Sequence, residues 1–138
     1  MILVGIRERG ARVSELIASI LERVASTTVP TLALDVSGFR DDRESDAPPP
    51  ETVDGPDLED RDVVLVDDVL FTGRTARAAL DAVIRFGRPR SIQLAVLVDR
   101  GHREYPIQAD YVGRAIPTRH RERVTVDLGE EPSVDVEE

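Results

Sequence analysis

The 138-residue chain contains no cysteine, and all 18 of its basic residues are arginine. The absence of cysteine excludes disulfides, zinc sites made of thiolates and thiol nucleophiles. The absence of lysine excludes a nucleotide-binding loop that ends in Gly-Lys-Ser or Gly-Lys-Thr. No apolar run is long enough to span a bilayer, and the first residues do not resemble a signal peptide. We therefore expect a cytoplasmic protein that has no membrane partner.

Acidic and basic residues are unevenly distributed along the chain. The net charge of −9 disfavours a protein that is coated by nucleic acid over its whole surface. Residues 41 to 62 hold ten acids against two arginines, whereas residues 100 to 123 hold six arginines against three acids. The second segment is therefore compatible with a local anion-binding face on an acidic protein.

Short aliphatic runs alternate with stripes of apolar residues at helical spacing. Strands that alternate with helices favour an α/β fold with a Rossmann-like parallel sheet and flanking helices. Helices are predicted to end near residue 25 and to begin near residue 75. Strands are predicted at residues 1–6, 31–36, 63–66, 92–98 and 110–113, with an exposed last strand at 124–128.

The length and the loop composition predict a single domain over residues 1–138. Residues 38–62 are rich in proline, glycine and acids, so we expect a flexible loop there. The acidic residues 129–138 are expected to form a frayed tail. Polar clusters at 7–10, 67–75 and 99–104 follow predicted strands. Because parallel strands end at one edge of a sheet, these clusters are predicted to meet on one rim.

Residues 63 to 75 read VVLVDDVLFTGRT and combine an aliphatic strand with two adjacent aspartates. The turn around Gly73 leads into a helix and points backbone N–H groups at one spot, which suits a phosphate monoester. Two adjacent carboxylates, Asp67 and Asp68, require hydroxyl donors or a divalent cation nearby. A sugar phosphate satisfies both demands. Paired acids after a strand also occur in Walker B segments and phospho-acceptor pockets, but those sites use the lysines that this chain lacks.

This segment resembles the phosphoribosyl-pyrophosphate (PRPP) signature of type I phosphoribosyltransferases. The flanking segments VGIRERG, FRDDR, GRPRSIQLAVLVDRGHREYPIQADYVG and IPT resemble one branch of that family, the pyrimidine operon attenuators that are also uracil phosphoribosyltransferases. The resemblance covers about residues 2 to 128. It implies conversion of uracil and PRPP to UMP and pyrophosphate, with Mg²⁺ bound to PRPP. It also implies a leader mRNA as a regulatory partner and a homo-oligomer, a dimer or larger.

The resemblance assigns roles to residues of the PRPP site. Asp67 and Asp68 hold the ribose hydroxyls and, together with Arg9, are the candidate catalytic residues. Arg9 and Gly10 form the pyrophosphate loop. Arg40, Asp41 and Asp42 begin the flexible loop that closes over the substrate. The candidate ligands of the 5′-phosphate are Thr72, Gly73, Arg74 and Thr75.

The resemblance also assigns the base and RNA contacts. Phe71 stands where the purine-salvage branch carries an aspartate, which favours a pyrimidine base. The base is expected at Val98, Asp99 and Arg100. The candidate RNA contacts are His102, Arg103, Arg114 and Thr118. His120 is assigned to a solvated charged loop.

The chain departs from this branch at several positions. Its first residue stands at the opening strand, whereas the relatives begin with a largely helical segment before that strand. Glu8 replaces the usual threonine of the pyrophosphate loop, and Gln108 replaces a common arginine. We expect these departures to affect RNA attenuation most and catalysis second. Two alternatives therefore stand beside the enzyme: a UMP-sensing RNA-binding attenuator with little catalysis, and a truncated inactive homologue.

Overall fold

A computed structural model describes residues 1–39 and 57–138 of the chain. Two main helices, α1 (Arg9–Ala25) and α2 (Arg74–Val83), flank the sheet, and short 3-10 turns cover Ser37–Phe39 and Ile84–Phe86. The described strands are β1 (Ile2–Ile6), β2 (Thr31–Leu34), β3 (Asp62–Leu70), β4 (Ser91–Asp99), β5 (Tyr111–Ala115), β6 (Arg123–Asp127) and β7 (Ser133–Glu137).

Five parallel strands form the main sheet in the order β2-β1-β3-β4-β5. The strand order reverses between β1 and β3, and ligands of open α/β sheets bind beyond the carboxyl ends at such a switch point. The loop after β1 and the turn after β3 both lie at this point. The predicted α/β fold with a parallel sheet is therefore confirmed.

The centre of β3 is buried on both faces, which explains its unbroken aliphatic sequence. Val63 and Leu65 belong to the larger core cluster, on the side of α2. Val64 and Val66 belong to a smaller cluster, on the side of α1. Burial of both faces fixes the register of β3 and thereby the position of the two aspartates that follow.

Two glycines let α1 approach the sheet closely at its first turn. A Cβ added at Gly5 in β1 would lie 2.4 Å from the Cα of Ala11, and a Cβ added at Gly10 would lie 2.3 Å from the carbonyl oxygen of Val66. Both separations are shorter than any van der Waals contact. The start of α1 therefore packs directly on the backbones of β1 and β3, next to Asp67.

The structure differs from the sequence-based expectations at two places. β3 extends to Leu70 and includes Asp67 and Asp68, which were expected after a strand that ends at residue 66. Residues 133–137 form β7, which pairs antiparallel with β6, so the prediction of a frayed tail over 129–138 is wrong for these residues. The backbone hydrogen bonds of β6 compensate for the acidic composition of β7. Within the described residues, neither main helix is both long and apolar enough to cross a membrane.

Candidate active site

The two adjacent aspartates lie in the second half of β3 and are half-buried. Asp67 pairs in register with Val96 of β4, and its Oδ1 accepts a hydrogen bond of 2.8 Å from the N–H of Asp68. The Oδ1 of Asp68 likewise accepts a hydrogen bond of 2.8 Å from the N–H of Val69. These bonds to the backbone orient both carboxylates before any ligand arrives.

The aspartates fit a magnesium-bound sugar phosphate by their chemistry. In the described part of the chain, no group of three or more acidic or histidine side chains is placed to hold a metal ion. Two carboxylates supply only part of the oxygen shell that Mg²⁺ prefers, and Mg²⁺ is typically completed by waters and substrate phosphates. Asp67 and Asp68 would therefore meet Mg²⁺ together with a substrate.

The turn at residues 71–73, the start of the candidate phosphate loop, leads directly into α2. Gly73 has a φ of 92°, a left-handed conformation that favours glycine, and it forms the N-cap of α2. The N–H of Arg77 donates to the carbonyl of Gly73 and starts the helical bonding pattern. The N–H of Arg74 donates to Thr72 Oγ1 at 3.2 Å, and the first turn of α2 lies at the positive end of the helix. Residues 72–75, the candidate ligands of the 5′-phosphate, therefore lie at the helix end that favours anions.

The side chain of Arg74 is directed away from this turn. Its Nε donates to Glu104 Oε2 at 2.9 Å, and its Nη1 lies 3.2 Å from the hydroxyl of Tyr105. The guanidinium also lies over the Tyr105 ring. In this conformation the side chain of Arg74 binds the segment at residues 104–105 and does not point into the turn.

The candidate pyrophosphate loop begins where β1 ends. The Arg7–Glu8 peptide bond is cis, and the side chains of Arg7, Glu8 and Arg9 are exposed. Arg9 Nη1 donates to the carbonyl of Val126 in β6 at 2.8 Å. An open cleft of about 450 Å³ lies between this loop and β6. The loop is accessible to an anion, and Arg9 also connects it to the hairpin β6–β7.

The candidate base site at the end of β4 contributes mainly backbone. Val98 is buried in the sheet and is only 1% exposed. Asp99 Oδ1 accepts from the N–H of Gly101 at 3.1 Å, and Asp99 Oδ2 pairs with Arg103 at 2.6 Å. Desolvation raises the pKa of Asp99, but the hydrogen bonds from Arg103 and Gly101 and the Arg103 charge outweigh it and lower the pKa. Asp99 therefore stays ionised and bound within the protein.

Comparison with known proteins agrees with this geometry. The model of the phosphoribosyl transferase domain family matches residues 1–128. Bifunctional protein PyrR of Chloroflexus aurantiacus is 52% identical over 98% of this chain and 76% of its own length. Bifunctional protein PyrR of Clostridioides difficile is 50% identical over 100% of this chain and 81% of its own length. The chain belongs to the PyrR group of phosphoribosyltransferases.

Solved structures of more distant phosphoribosyltransferases share the fold of this PyrR-group chain. A purine phosphoribosyltransferase from Pyrococcus horikoshii superposes with a TM-score of 0.62 at 22% identity, over 84% of this chain and 70% of that chain. A hypoxanthine phosphoribosyltransferase from Staphylococcus aureus gives 0.61 at 25% identity, over 86% and 62%. These likenesses support the fold assignment alone.

A cluster of rings near the base site was not foreseen in the sequence of this PyrR-group chain. The ring centroids of Phe71, His102 and His120 lie 5.2 to 5.8 Å apart. The guanidinium of Arg100 stacks 3.9 Å from the centroid of Phe71. His120 is exposed in a loop, as expected, and its ring also packs against Phe71. No local pattern signals this contact, because 49 positions separate the two residues.

Arg100 is 6% exposed, and its side chain contacts separate segments of the chain. Its Nε donates to Thr118 Oγ1 at 3.2 Å, and its Nη2 donates to the carbonyl of Arg119 at 2.9 Å. Thr118 Oγ1 in turn donates to the carbonyl of Arg100 at 3.0 Å. The side chain of Arg100 therefore joins β4, Phe71 and the segment around residue 118, and any contact with a base would come from its backbone.

The four candidate RNA residues have different environments. His102 Nε2 lies 2.5 Å from the carbonyl of Thr118, and the Thr118 hydroxyl is bonded to Arg100. Arg103 makes three internal hydrogen bonds. Arg114 is exposed on β5. His102 and Arg114 are therefore exposed, whereas Arg103 is held within the protein. The flexible-loop candidates Arg40, Asp41 and Asp42 lie outside the described residues.

Proposed function

We propose that this chain transfers the phosphoribosyl group of PRPP to uracil, forming UMP and pyrophosphate, and that it regulates pyrimidine genes by binding a leader mRNA. The single observation that carries the enzymatic part is the arrangement of β3, its turn and α2. There, two carboxylates bonded to the backbone are followed by a glycine turn and the positive end of α2 at the switch point of the sheet, which supports a site for a ribose phosphate. The PyrR group to which the chain belongs supports the pyrimidine and regulatory parts.

The reaction requires no nucleophilic side chain. The bond between the anomeric carbon and the pyrophosphate oxygen breaks, the bond from that carbon to N1 of uracil forms, and the N1 proton is lost. Positive charge develops on the ribose ring, so positioning and electrostatic stabilisation carry the catalysis. The absence of cysteine and lysine is therefore compatible with this chemistry.

Each part of the site has a role in this scheme. Asp67 and Asp68 accept hydrogen bonds from the ribose hydroxyls and stabilise the positive ring. Residues 72–75 hold the 5′-phosphate through backbone N–H groups and the dipole of α2. The loop at Arg9 and Gly10 receives the departing pyrophosphate. Mg²⁺, when bound with PRPP, neutralises charge on the leaving group.

A regulator with little catalysis is the second candidate, and the pyrophosphate loop favours it. Glu8 adds a negative side chain to a loop assigned to an anion, and Arg9 is bonded to the carbonyl of Val126. Such a protein would still bind UMP through the phosphate loop and the aspartates. It would bind RNA in a UMP-dependent manner without producing pyrophosphate.

The test compares uracil-dependent release of pyrophosphate by the wild type, Asp68→Asn and Asp81→Asn. Asp81 is a surface carboxylate of α2 that pairs with Arg77, and it serves as the matched control. We expect turnover by the wild type and the control, and a loss of about 100-fold or more in Asp68→Asn. UMP binding without turnover in the wild type would support the regulator instead. A wild type that binds neither UMP nor PRPP would contradict both functions.

A further inference from the structure

Arg103 lies in the segment after β4, and all three nitrogens of its guanidinium donate hydrogen bonds within the protein. Its Nη1 donates to the carbonyl of Phe71 at 2.8 Å and its Nε to the carbonyl of Ile107 at 2.8 Å. Its Nη2 pairs with Asp99 Oδ2 at 2.6 Å. The side chain is only 24% exposed. Each of the three guanidinium nitrogens therefore has an acceptor, and they belong to three different parts of the chain.

These acceptors surround the phosphate loop. Phe71 immediately precedes residues 72–75, so the bond to its carbonyl fixes where the loop begins. The side chain of Ile107 lies against Gly73, because a Cβ added there would come within 3.2 Å of it. The N–H groups of Glu104 and Tyr105 donate to the carbonyl of Thr72. The segment from Arg103 to Ile107 thus holds the loop from outside, and Arg103 connects both ends of that segment to β3 and β4.

The pairing with Asp99 makes this connection rigid. The lowered pKa of Asp99 keeps its carboxylate charged at neutral pH, so that the ion pair with Arg103 persists. A planar guanidinium can address three acceptors in one plane, whereas an ammonium offers a single point charge. Three of the five N–H groups of Arg103 are thus used within the protein and the side chain is only 24% exposed, so the guanidinium is poorly placed to contact an RNA phosphate.

We propose that Arg103 is a positioning residue for the phosphate loop: it sets residues 72–75 relative to the end of β4, and it serves the binding of the 5′-phosphate rather than contact with RNA. The inference rests on the proposed function only in assigning a phosphate to that loop. Removal of the side chain would release the carbonyl of Phe71 and let the loop shift. Binding of any ligand that carries a 5′-phosphate should then weaken.

The experiment titrates ribose 5-phosphate, UMP and uridine into the wild type, Arg103→Met, Arg103→Lys and Arg85→Met. Arg85 is an exposed arginine after α2 and makes the same chemical change away from the site. We expect Arg103→Met to weaken the binding of ribose 5-phosphate by about tenfold or more, equivalent to about 1.4 kcal/mol. The preference for UMP over uridine should fall by the same factor. The affinity of Arg103→Lys for ribose 5-phosphate should lie between those of the wild type and Arg103→Met. The affinity of Arg85→Met should match that of the wild type.

The ratio of UMP to uridine affinity separates positioning from a general loss of structure, which would weaken both ligands alike. Ribose 5-phosphate affinity in Arg103→Met within about twofold of the wild type would overturn the proposal. Loss of leader-RNA binding in that variant with unchanged UMP affinity would overturn it too. If Arg103→Met does not fold, the affinities of Arg103→Lys for ribose 5-phosphate, UMP and uridine are judged by the same criteria. A wild type that binds ribose 5-phosphate without converting uracil refutes the proposed enzyme alone, whereas one that binds no ribose 5-phosphate overturns both.

Discussion

Gly10→Ala tests whether the close approach of α1 to β3 is required at the site. The added Cβ would lie 2.3 Å from the carbonyl oxygen of Val66 and 3.1 Å from the Cα of Asp67. Real Cβ atoms keep at least 3.0 Å from such neighbours, so the helix start must move by about 0.7 Å or more. Both neighbours are backbone atoms in the centre of the sheet, which leaves α1 and the pyrophosphate loop as the parts that move.

The expected loss of stability is moderate. Forcing one extra methyl group into a packed position costs about 1–3 kcal/mol. Alanine favours a helix over glycine by up to about 1 kcal/mol, which offsets part of that cost. A net loss of roughly 1–2 kcal/mol would lower the melting temperature by roughly 3–10 °C for a domain of this size. The variant should therefore still fold.

The expected loss of function is larger than the loss of stability. A displacement of about 1 Å in a group that positions a reactant can reduce the rate by roughly 100-fold. The assay is uracil-dependent pyrophosphate release, combined with thermal unfolding of the same samples. Gly129→Ala is the matched control, because the closest neighbour of a Cβ there is a side-chain oxygen of Asp127. A Gly10→Ala variant as active and as stable as this control would refute the reasoning.

Two further predictions concern charge at the rim. Glu8→Thr removes an exposed carboxylate from the candidate pyrophosphate loop. The KM for PRPP should fall by about two- to fivefold at low salt and by less at high salt. An unchanged or higher KM would show that Glu8 does not oppose the substrate. The folded-state pKa of Asp99 lies below its ordinary value of 3.8. The ionised carboxylate therefore stabilises the fold above pH 3.8, and this stabilisation is lost as the pH falls through the folded-state pKa. In urea unfolding, Asp99→Asn should therefore be less stable than the wild type at pH 7. The difference between their free energies of unfolding should become smaller towards pH 3. A difference that stays constant with pH would contradict this account.

The segment around the two aspartates could be predicted from the sequence because its signals are local. An unbroken aliphatic run, two acids and a glycine turn before a helical stripe lie within residues 63 to 75. These neighbours along the chain are also neighbours in space, so the strand, the turn and the helix follow from short-range preferences. The fold class needed little more.

The partners of the arginines could not be predicted in this way. Arg9 contacts Val126 across 117 positions, and Arg103 contacts Phe71 across 32. A long, flexible side chain with several donors can reach many acceptors, and the one it uses depends on which segments the sheet brings beside it. The same holds for β7, whose acidic composition predicted a frayed tail but whose backbone pairs with β6.

The sequence by itself therefore determined the α/β class, the two main helices, the strands of the main sheet and the pair of aspartates before a glycine turn, because each depends on residues close together in the chain. Only the tertiary structure decided that Arg100 and Arg103 act inside the protein, that His120 packs on Phe71, and that Gly10 is packed against the carbonyl of Val66. Those contacts form when separate segments are packed together, and no short-range pattern encodes them.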